Sequence, residues 1–531
     1  MKILKIVYNI KIIGLCLLWL CSLTSRAQDS ALTESVDSAP VVIYGEVKSK
    51  VPVDSLEITF WDHYIDKQNR MPKPWKEFVH TESGNLFNGG FGSKTFSFTS
   101  EPVNDVSYLS IGLGQYFFMD RFQVDPGDSV RILIDLHRGM MLFDGPSAEK
   151  FRCQYELELA KSNHTYKNPP LMNTGDREKF LNSKDYRERY KKAVSESSSI
   201  KKHLQFIDSS ESALAYIVNV LDENDKCHAG WRVINSFRGI LSDDFIARMV
   251  VELEGYLHLQ KISAFKRYYN HTDKFDSIYH ERLATLHRLE MEETVQLSSI
   301  SYMDYLFEHS IMRSIVEETP ITTIYEEFPQ ETKELLIGKY LSNYYRTFDN
   351  ITEVFTKSLS EVKTPWVHEE LQKLFNSQQE GKLFLDVSLS SLENNETRLS
   401  AYKDKVVMLD FWFTGCQACI LFYQDHLSKV EEHFKDNDDV LIVSISADKS
   451  FEQWQKSVAS GKYTSQDVIN LNTGGFKHEL LLYYNIHAYP TQMLLDRAGN
   501  VAKVGNFPST AEGLIELIQE ELQNDPKSKS R

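Results

Sequence analysis

Cys416 and Cys419 stand three residues apart, directly after the apolar run Val406-Val407-Met408-Leu409-Asp410-Phe411-Trp412-Phe413 and ahead of a segment with helical spacing (Ile420, Leu421, Leu427, Val430, Phe434). A thiol in the first turn of a helix meets unpaired backbone N–H groups and the positive end of the helix dipole, and both favour the thiolate. A second thiol one turn on can close a disulfide with the first, so the chemistry this spacing suits is thiol–disulfide exchange. Cys416, nearer the helix start, is the expected attacking thiolate, and Cys419 the thiol that resolves the mixed disulfide. Asp410 is the acid of the run before the pair. A poorly solvated carboxyl there keeps its proton to unusually high pH and suits proton transfer from Cys419. Two blander readings stand beside these: the pair as half a zinc site, and Asp410 as a buried carboxylate that is merely hydrogen-bonded. A closed zinc site wants four ligands, whereas Cys153 and Cys227 lie far off in sequence and no H-x-x-x-H pair accompanies the motif.

The elements that must position these residues follow from periodicity. The apolar run reads as a buried parallel strand and the segment after the pair as a helix. A second apolar strand spans 440–446, and a helix carries Phe451, Trp454 and Val458. A short helix near 480–484 leads through Ala488-Tyr489-Pro490-Thr491 into a strand at 492–495, a turn at 496–500 and a strand at 501–504. The last helix is expected to open at Ser509, with Glu512 completing a capping box. Strands alternating with helices argue an open α/β sheet.

With those residues in place, the stretch from about 381 to 522 resembles the TlpA-like group of thioredoxin-fold thiol-disulfide oxidoreductases. The resemblance is carried, in order, by Asp410-Phe411-Trp412, Cys416-x-x-Cys419 and Tyr489-Pro490-Thr491, and further by a hairpin-like stretch at 387–399 and an inserted segment at 466–484. It implies a protein disulfide reductase that needs no cofactor and no metal. It also implies a cis peptide before Pro490 and a substrate groove formed by Trp412, Tyr489, Pro490 and Thr491, with Trp412 as a packed wall. The chain departs from the group in having Gly415 where Trp is common and Gln417-Ala418 where Gly-Pro or Glu-Pro is common. The dipeptide between the cysteines tunes the reduction potential. Phe422 stands where many members carry a glutamate, which leaves Asp410 as the acid.

The first 27 residues set the expected compartment. Lys2, Lys5 and Lys11 precede an apolar run at 12–23, and Ser25-Arg26-Ala27 is a small-x-small cleavage site, the pattern of a signal peptide. The run is short for a bilayer span. A periplasmic protein with no transmembrane span in the mature chain is expected; the alternatives are a membrane anchor facing the periplasm, or lipidation at Cys16 or Cys21, whose preceding residues suit lipidation poorly. With the signal removed four cysteines remain, too few for a disulfide-built scaffold, and Cys153 and Cys227 either bond or stay free. With 75 acidic against 59 basic residues, the chain is unsuited to nucleic acid and offers no basic stripe to anionic lipid.

Ahead of the C-terminal domain (381–525) two further regions are expected. Residues 39–146 show short alternating runs (41–47, 56–61, 94–99, 106–112, 116–124, 130–136) separated by turn residues, which reads as a β-sandwich-like domain. Gly89-Gly90-Phe91-Gly92 lacks phosphate-binding spacing. Residues 147–380 read as helical, with breaks at Pro169-Pro170, Pro320, Pro329 and Pro365. The fold class is thus multidomain α+β. The expected function is exported thiol–disulfide exchange on protein thiols or disulfides of the cell envelope, fed by an upstream dithiol. The rivals are a disulfide oxidase or isomerase, and a binding or scaffold protein whose redox domain is secondary.

Overall fold

A computed structural model of the chain describes residues 38–65, 71–84, 93–114, 116–167, 171–184, 187, 205–286, 289–348 and 350–524. The expected signal peptide with Cys16 and Cys21, the loop at 89–92 and the last seven residues lie outside the described residues. The described residues divide into two compact units, one within 1–63 and 74–158, the other within 64–73 and 159–531.

In the first unit, period-2 alternation builds two sheets. The strands are β1 (Val42–Lys48), β2 (Ser55–Trp61), β3 (Trp75–His80), β4 (Glu82–Ser83), β5 (Ser93–Thr99), β6 (Ser107–Leu113), β7 (Tyr116–Val124), β8 (Ser129–Asp135) and β9 (Met140–Asp144). They order as β4-β5-β1-β8-β9 and β3-β2-β6-β7. Ile43 and Ile132 of one sheet share an apolar core with Ile58 and Leu109 of the other. Strands β3 and β9 were not expected from sequence. Both are edge strands, paired on one side only, and β3 buries Val79 alone, so the alternation that marks a half-buried strand is missing.

The second unit opens with helices. Ser210–Leu221, Asp243–Tyr268, Ile300–Val316, Gln330–Tyr344 and Pro365–Ser377 bury Ile217, Phe265, Tyr302, Leu336 and Leu371 in one core. Pro169-Pro170 lie outside the described residues, whereas Pro320 and Pro329 cap two helices, and Pro365 is the first residue of a third. A proline costs nothing there, because the N–H it lacks has no partner within the helix. A short parallel pair, β10 (Leu171–Asn173) with β11 (Gln205–Ile207), interrupts the helical pattern.

Its C-terminal part is a seven-stranded sheet of β12 (Ser388–Ser391), β13 (Glu396–Arg398), β14 (Val406–Trp412), β15 (Val440–Ser446), β16 (Ile469–Asn472), β17 (Thr491–Leu495) and β18 (Val501–Val504), ordered β13-β12-β16-β15-β14-β17-β18. The central strand β14 is buried along its whole length, parallel to β15 and antiparallel to β17. Its odd-numbered residues Val407, Leu409 and Phe411 pack with Val443, Ile445 and Leu481. Val406 and Met408, on the opposite face, pack with Leu427, Val430, Leu514 and Ile518 of covering helices. The short strand β16, Ile-Asn-Leu-Asn, carries too weak a pattern to be legible, and β15 and β12 hold it by hydrogen bonds. The last helix, Ala511–Gln523, begins one residue later than expected: Thr510, with extended backbone, caps it by accepting the Gly513 N–H at 3.2 Å, in place of a Ser509–Glu512 box.

Candidate active site

From the end of β14 the chain turns through Phe413-Thr414-Gly415 into the helix Gln417–Phe422, which continues through a π turn (Tyr423–Leu427) into Ser428–Phe434. Cys416 is the N-cap. Its Sγ accepts the Cys419 N–H at 3.0 Å, a contact of the kind that steadies a thiolate once a disulfide is reduced. The two cysteines are joined as a disulfide, with Cα atoms 5.3 Å apart. Cys416 keeps 6% of its surface and Cys419 2%. Cys153 and Cys227 are free thiols, the first buried and the second exposed. Among the described residues no group of three or more His, Cys, Asp or Glu side chains could hold a metal ion.

The turn that presents the pair is held from β15 and the loop beyond. Asp448 accepts the Thr414 N–H at 3.0 Å and the Thr414 hydroxyl at 2.7 Å, and takes the Ser446 hydroxyl at 2.8 Å. Tyr463 Oη accepts the Gly415 N–H at 2.9 Å, while its ring stacks on Trp412 with centroids 4.8 Å apart. Gly415 itself sits at φ +99°, a conformation that a side chain resists. Asp448 and Tyr463 carry no motif and were not singled out from sequence. The register of β14 on β15, which sets Trp412 beside Ser446, brings them in. The available signal was position, since sites in open α/β sheets gather at the carboxyl ends of strands and Asp448 lies two residues past β15.

Trp412 requires a correction. Expected as a wall of the substrate groove, it is wholly buried, its indole N–H bonded to Ser444 Oγ at 2.6 Å. As the last residue of a central strand it points into the layer beneath the pair, where it clusters with Cys416, Cys419, Trp454 and Tyr463. It supports the site from below and offers no surface to a partner.

The loop before β17 approaches the pair. The Tyr489–Pro490 peptide is cis, and the Tyr489 carbonyl oxygen lies 3.7 Å from Cys416 Sγ. Thr491 donates its hydroxyl to the Ala488 carbonyl at 2.7 Å, closing a turn around the proline. The Tyr489 ring meets Phe413 and Phe476 edge-on at 5.3 and 5.8 Å. Burial pushes its phenol well above the usual tyrosine range. Phe476, half exposed, gives the site an apolar rim that sequence reasoning missed, because it comes from the inserted segment.

Asp410 lies one strand alternation below Trp412. Met408 on the same face joins the core under the covering helices, and Trp412 joins the cluster that holds both cysteines, which sets Asp410 between the two. Burial pushes its carboxyl up to about 7; the Gln492 amide, donating at 2.8 Å, pulls the other way, and Glu431 on the covering helix pushes up again. An acid poised near neutrality suits a proton acceptor working at physiological pH.

Residues 404–501 match the family described as Thioredoxin-like. The chain is 27% identical over 126 residues to the Thioredoxin-like protein YneN of Bacillus subtilis (strain 168), covering 24% of this chain and 71% of that one. It is 29% identical over 136 residues to the thiol-disulfide oxidoreductase ResA of Geobacillus thermodenitrificans (strain NG80-2), covering 25% of this chain and 73% of that one. Among solved structures it resembles the thioredoxin domain of a thiol-disulfide oxidoreductase from Bacteroides vulgatus, at 24% identity over 27% of this chain and 96% of that one, with a TM-score of 0.24. The region 404–501 is therefore a thioredoxin-like domain, and the two curated relatives cover about a quarter of the chain.

Proposed function

We propose that the protein is an exported thiol–disulfide oxidoreductase that reduces disulfides in proteins of the cell envelope through the Cys416–Cys419 dithiol. The observation that carries the reading is the pair itself: a disulfide at a helix N-cap, its first sulfur 3.7 Å from the carbonyl that precedes a cis proline. The export assignment rests on the charged, apolar and small-x-small order of residues 1–27. Among the described residues no helix is long and apolar enough to cross a membrane.

In the reduced protein the Cys416 thiolate attacks one sulfur of a partner disulfide, forming a mixed disulfide and releasing the partner's other sulfur as a thiolate, which takes a proton. Cys419 gives its proton to Asp410 and attacks Cys416 Sγ. The Cys416–Cys419 disulfide forms, and the second partner sulfur leaves as a thiolate that takes a proton from solvent, to which Asp410 gives up the one it accepted. The partner gains two electrons and two protons in all, and an upstream dithiol must then reduce the pair again. Asp410, Tyr489, Pro490 and Thr491 keep the roles given above as proposals: proton acceptor, and groove wall beside the sulfur.

The Cys419→Ser variant, which can form but not resolve the mixed disulfide, should accumulate covalent partners from an envelope fraction, and Cys416→Ser should accumulate none. Capture by Cys416→Ser instead would reverse the assignment of attacking thiol. The direction is read from the reduction potential: a reductant lies near roughly −270 mV, whereas a value near roughly −120 mV would make the protein an oxidase.

A further inference from the structure

The loop that carries Pro490 is gripped from the helical layer. Arg346, in the turn Tyr345–Thr347 that follows the helix Gln330–Tyr344, donates from Nη1 to Thr491 Oγ1 at 3.2 Å. From Nη2 it donates to the carbonyls of Tyr484 at 2.9 Å and Asn485 at 3.1 Å. These acceptors lie on the two sides of Pro490. Tyr484 and Asn485 begin the segment at the end of the helix Glu479–Tyr483, where backbone carbonyls lack helical partners, and Thr491 ends it as the first residue of β17. The Arg346 carbonyl in turn accepts the Asn506 N–H at 2.8 Å, which fixes the arginine's backbone against the chain just past β18. One planar fork thus spans the loop whose Tyr489 carbonyl faces Cys416 Sγ.

We propose that Arg346 is a positioning residue for the exchange reaction: it holds the 484–491 segment so that a partner's backbone meets the groove at the distance Cys416 requires. The inference rests on the reading of Cys416 as the attacking thiol. Guanidinium suits this role because its donors are fixed in one plane and its charge strengthens each bond to a carbonyl. Lysine reaches one side of the loop at a time. Loss of Arg346 leaves Tyr484 with Gln378 Nε2 at 3.1 Å and Thr491 with its bond to Ala488, so the fold persists while the loop loses its brace. The disulfide pair and its helix N-cap lie outside these contacts, so the reactivity of the sulfur itself is not at stake.

The test uses the full chain with Cys16→Ser, Cys21→Ser, Cys227→Ser and Cys419→Ser, which leaves Cys416 beside the buried Cys153. Two probes are compared: an extended peptide bearing one cysteine as its thiopyridyl disulfide, and the thiopyridyl disulfide of cysteamine. In each, Cys416 attacks the cysteine or cysteamine sulfur and releases thiopyridone, which is read by absorbance. Arg346→Met should slow the peptide reaction about tenfold, as a small misplacement of a reacting group does, with the cysteamine rate unchanged. Arg346→Lys should recover part of the loss. Should Arg346→Met fail to fold, Arg346→Lys carries the test by itself, with a smaller loss on the peptide and none on cysteamine. Equal slowing of both probes, or no slowing, would overturn the positioning role. A parent whose Cys416 reacts with neither probe defeats the exchange reading, and this inference with it.

Discussion

Asp410 is where sequence position and burial combine into a measurable titration. In the unfolded chain its carboxyl titrates near the ordinary 3.8, and in the folded protein burial carries it to about 7. Below both values the carboxyl is neutral in either state and costs nothing. As pH rises between them the unfolded chain loses its proton first, so stability falls, and above 7 the full penalty of an ionised buried carboxylate is present. Asp410→Asn removes that titration. The variant should match the parent in urea unfolding near pH 4 and exceed it near pH 8, with a shift of this size corresponding to roughly 4 kcal/mol. Kinetics should move the other way. Above pH 7 the parent's Asp410 is charged and able to take the Cys419 proton, so the variant should resolve mixed disulfides more slowly there while forming them at the parent's rate. A stability difference that does not change with pH would show that Asp410 does not hold the proton.

Helix contacts in the second unit are set by backbone proximity as much as by apolar stripes. Gly255, inside the helix Asp243–Tyr268, faces Ile300–Val316 so closely that a Cβ there would lie 2.4 Å from Tyr302 N and 2.5 Å from its Cα. Two effects compete in Gly255→Ala. Alanine favours the helix by about 1 kcal/mol. The clash is with backbone, which cannot rotate away, and overpacking of this kind costs roughly 1–3 kcal/mol. The clash should win, so the variant should unfold at lower urea concentration than the parent; a more stable variant would mean that the two helices stand further apart than described. Contacts of this kind have no counterpart in a periodicity argument, because a lone glycine in a helical run reads only as a weak helix former.

Across the second unit, distant parts of the chain are joined by buried ionic groups. Lys339, almost fully buried, donates to Asp304 Oδ1 at 2.6 Å and to the Ile65 carbonyl at 2.6 Å, so Ile65 is fixed to a helix 274 residues further on. Lys339→Met leaves the partly buried Asp304 without this cation and the Ile65 carbonyl without this donor. Breaking one side of such a pair costs about 3–5 kcal/mol. The loss should appear in the unfolding midpoint, and Asp304→Asn in the same chain should restore part of it. If Asp304→Asn deepens the loss instead, the pair is not the source of it.

Local order in the sequence determined the chemistry and its immediate frame. An unbroken apolar run, two cysteines one helical turn apart and an acid six residues before the first specify strand, turn and helix N-terminus, because each is fixed by interactions among near neighbours. The central strands of both units were legible for the same reason: a buried strand writes its burial into every second residue or into all of them. Edge strands β3 and β9, which bury little, left no such mark. Only the tertiary structure placed Trp412 beneath the pair, brought Asp448 and Tyr463 onto the turn before Cys416, and aimed Arg346 at both sides of the Pro490 loop. The contacts of Asp448, Tyr463 and Arg346 join segments between 34 and 145 residues apart, and their geometry comes from strand register and helix packing, which no residue spacing encodes.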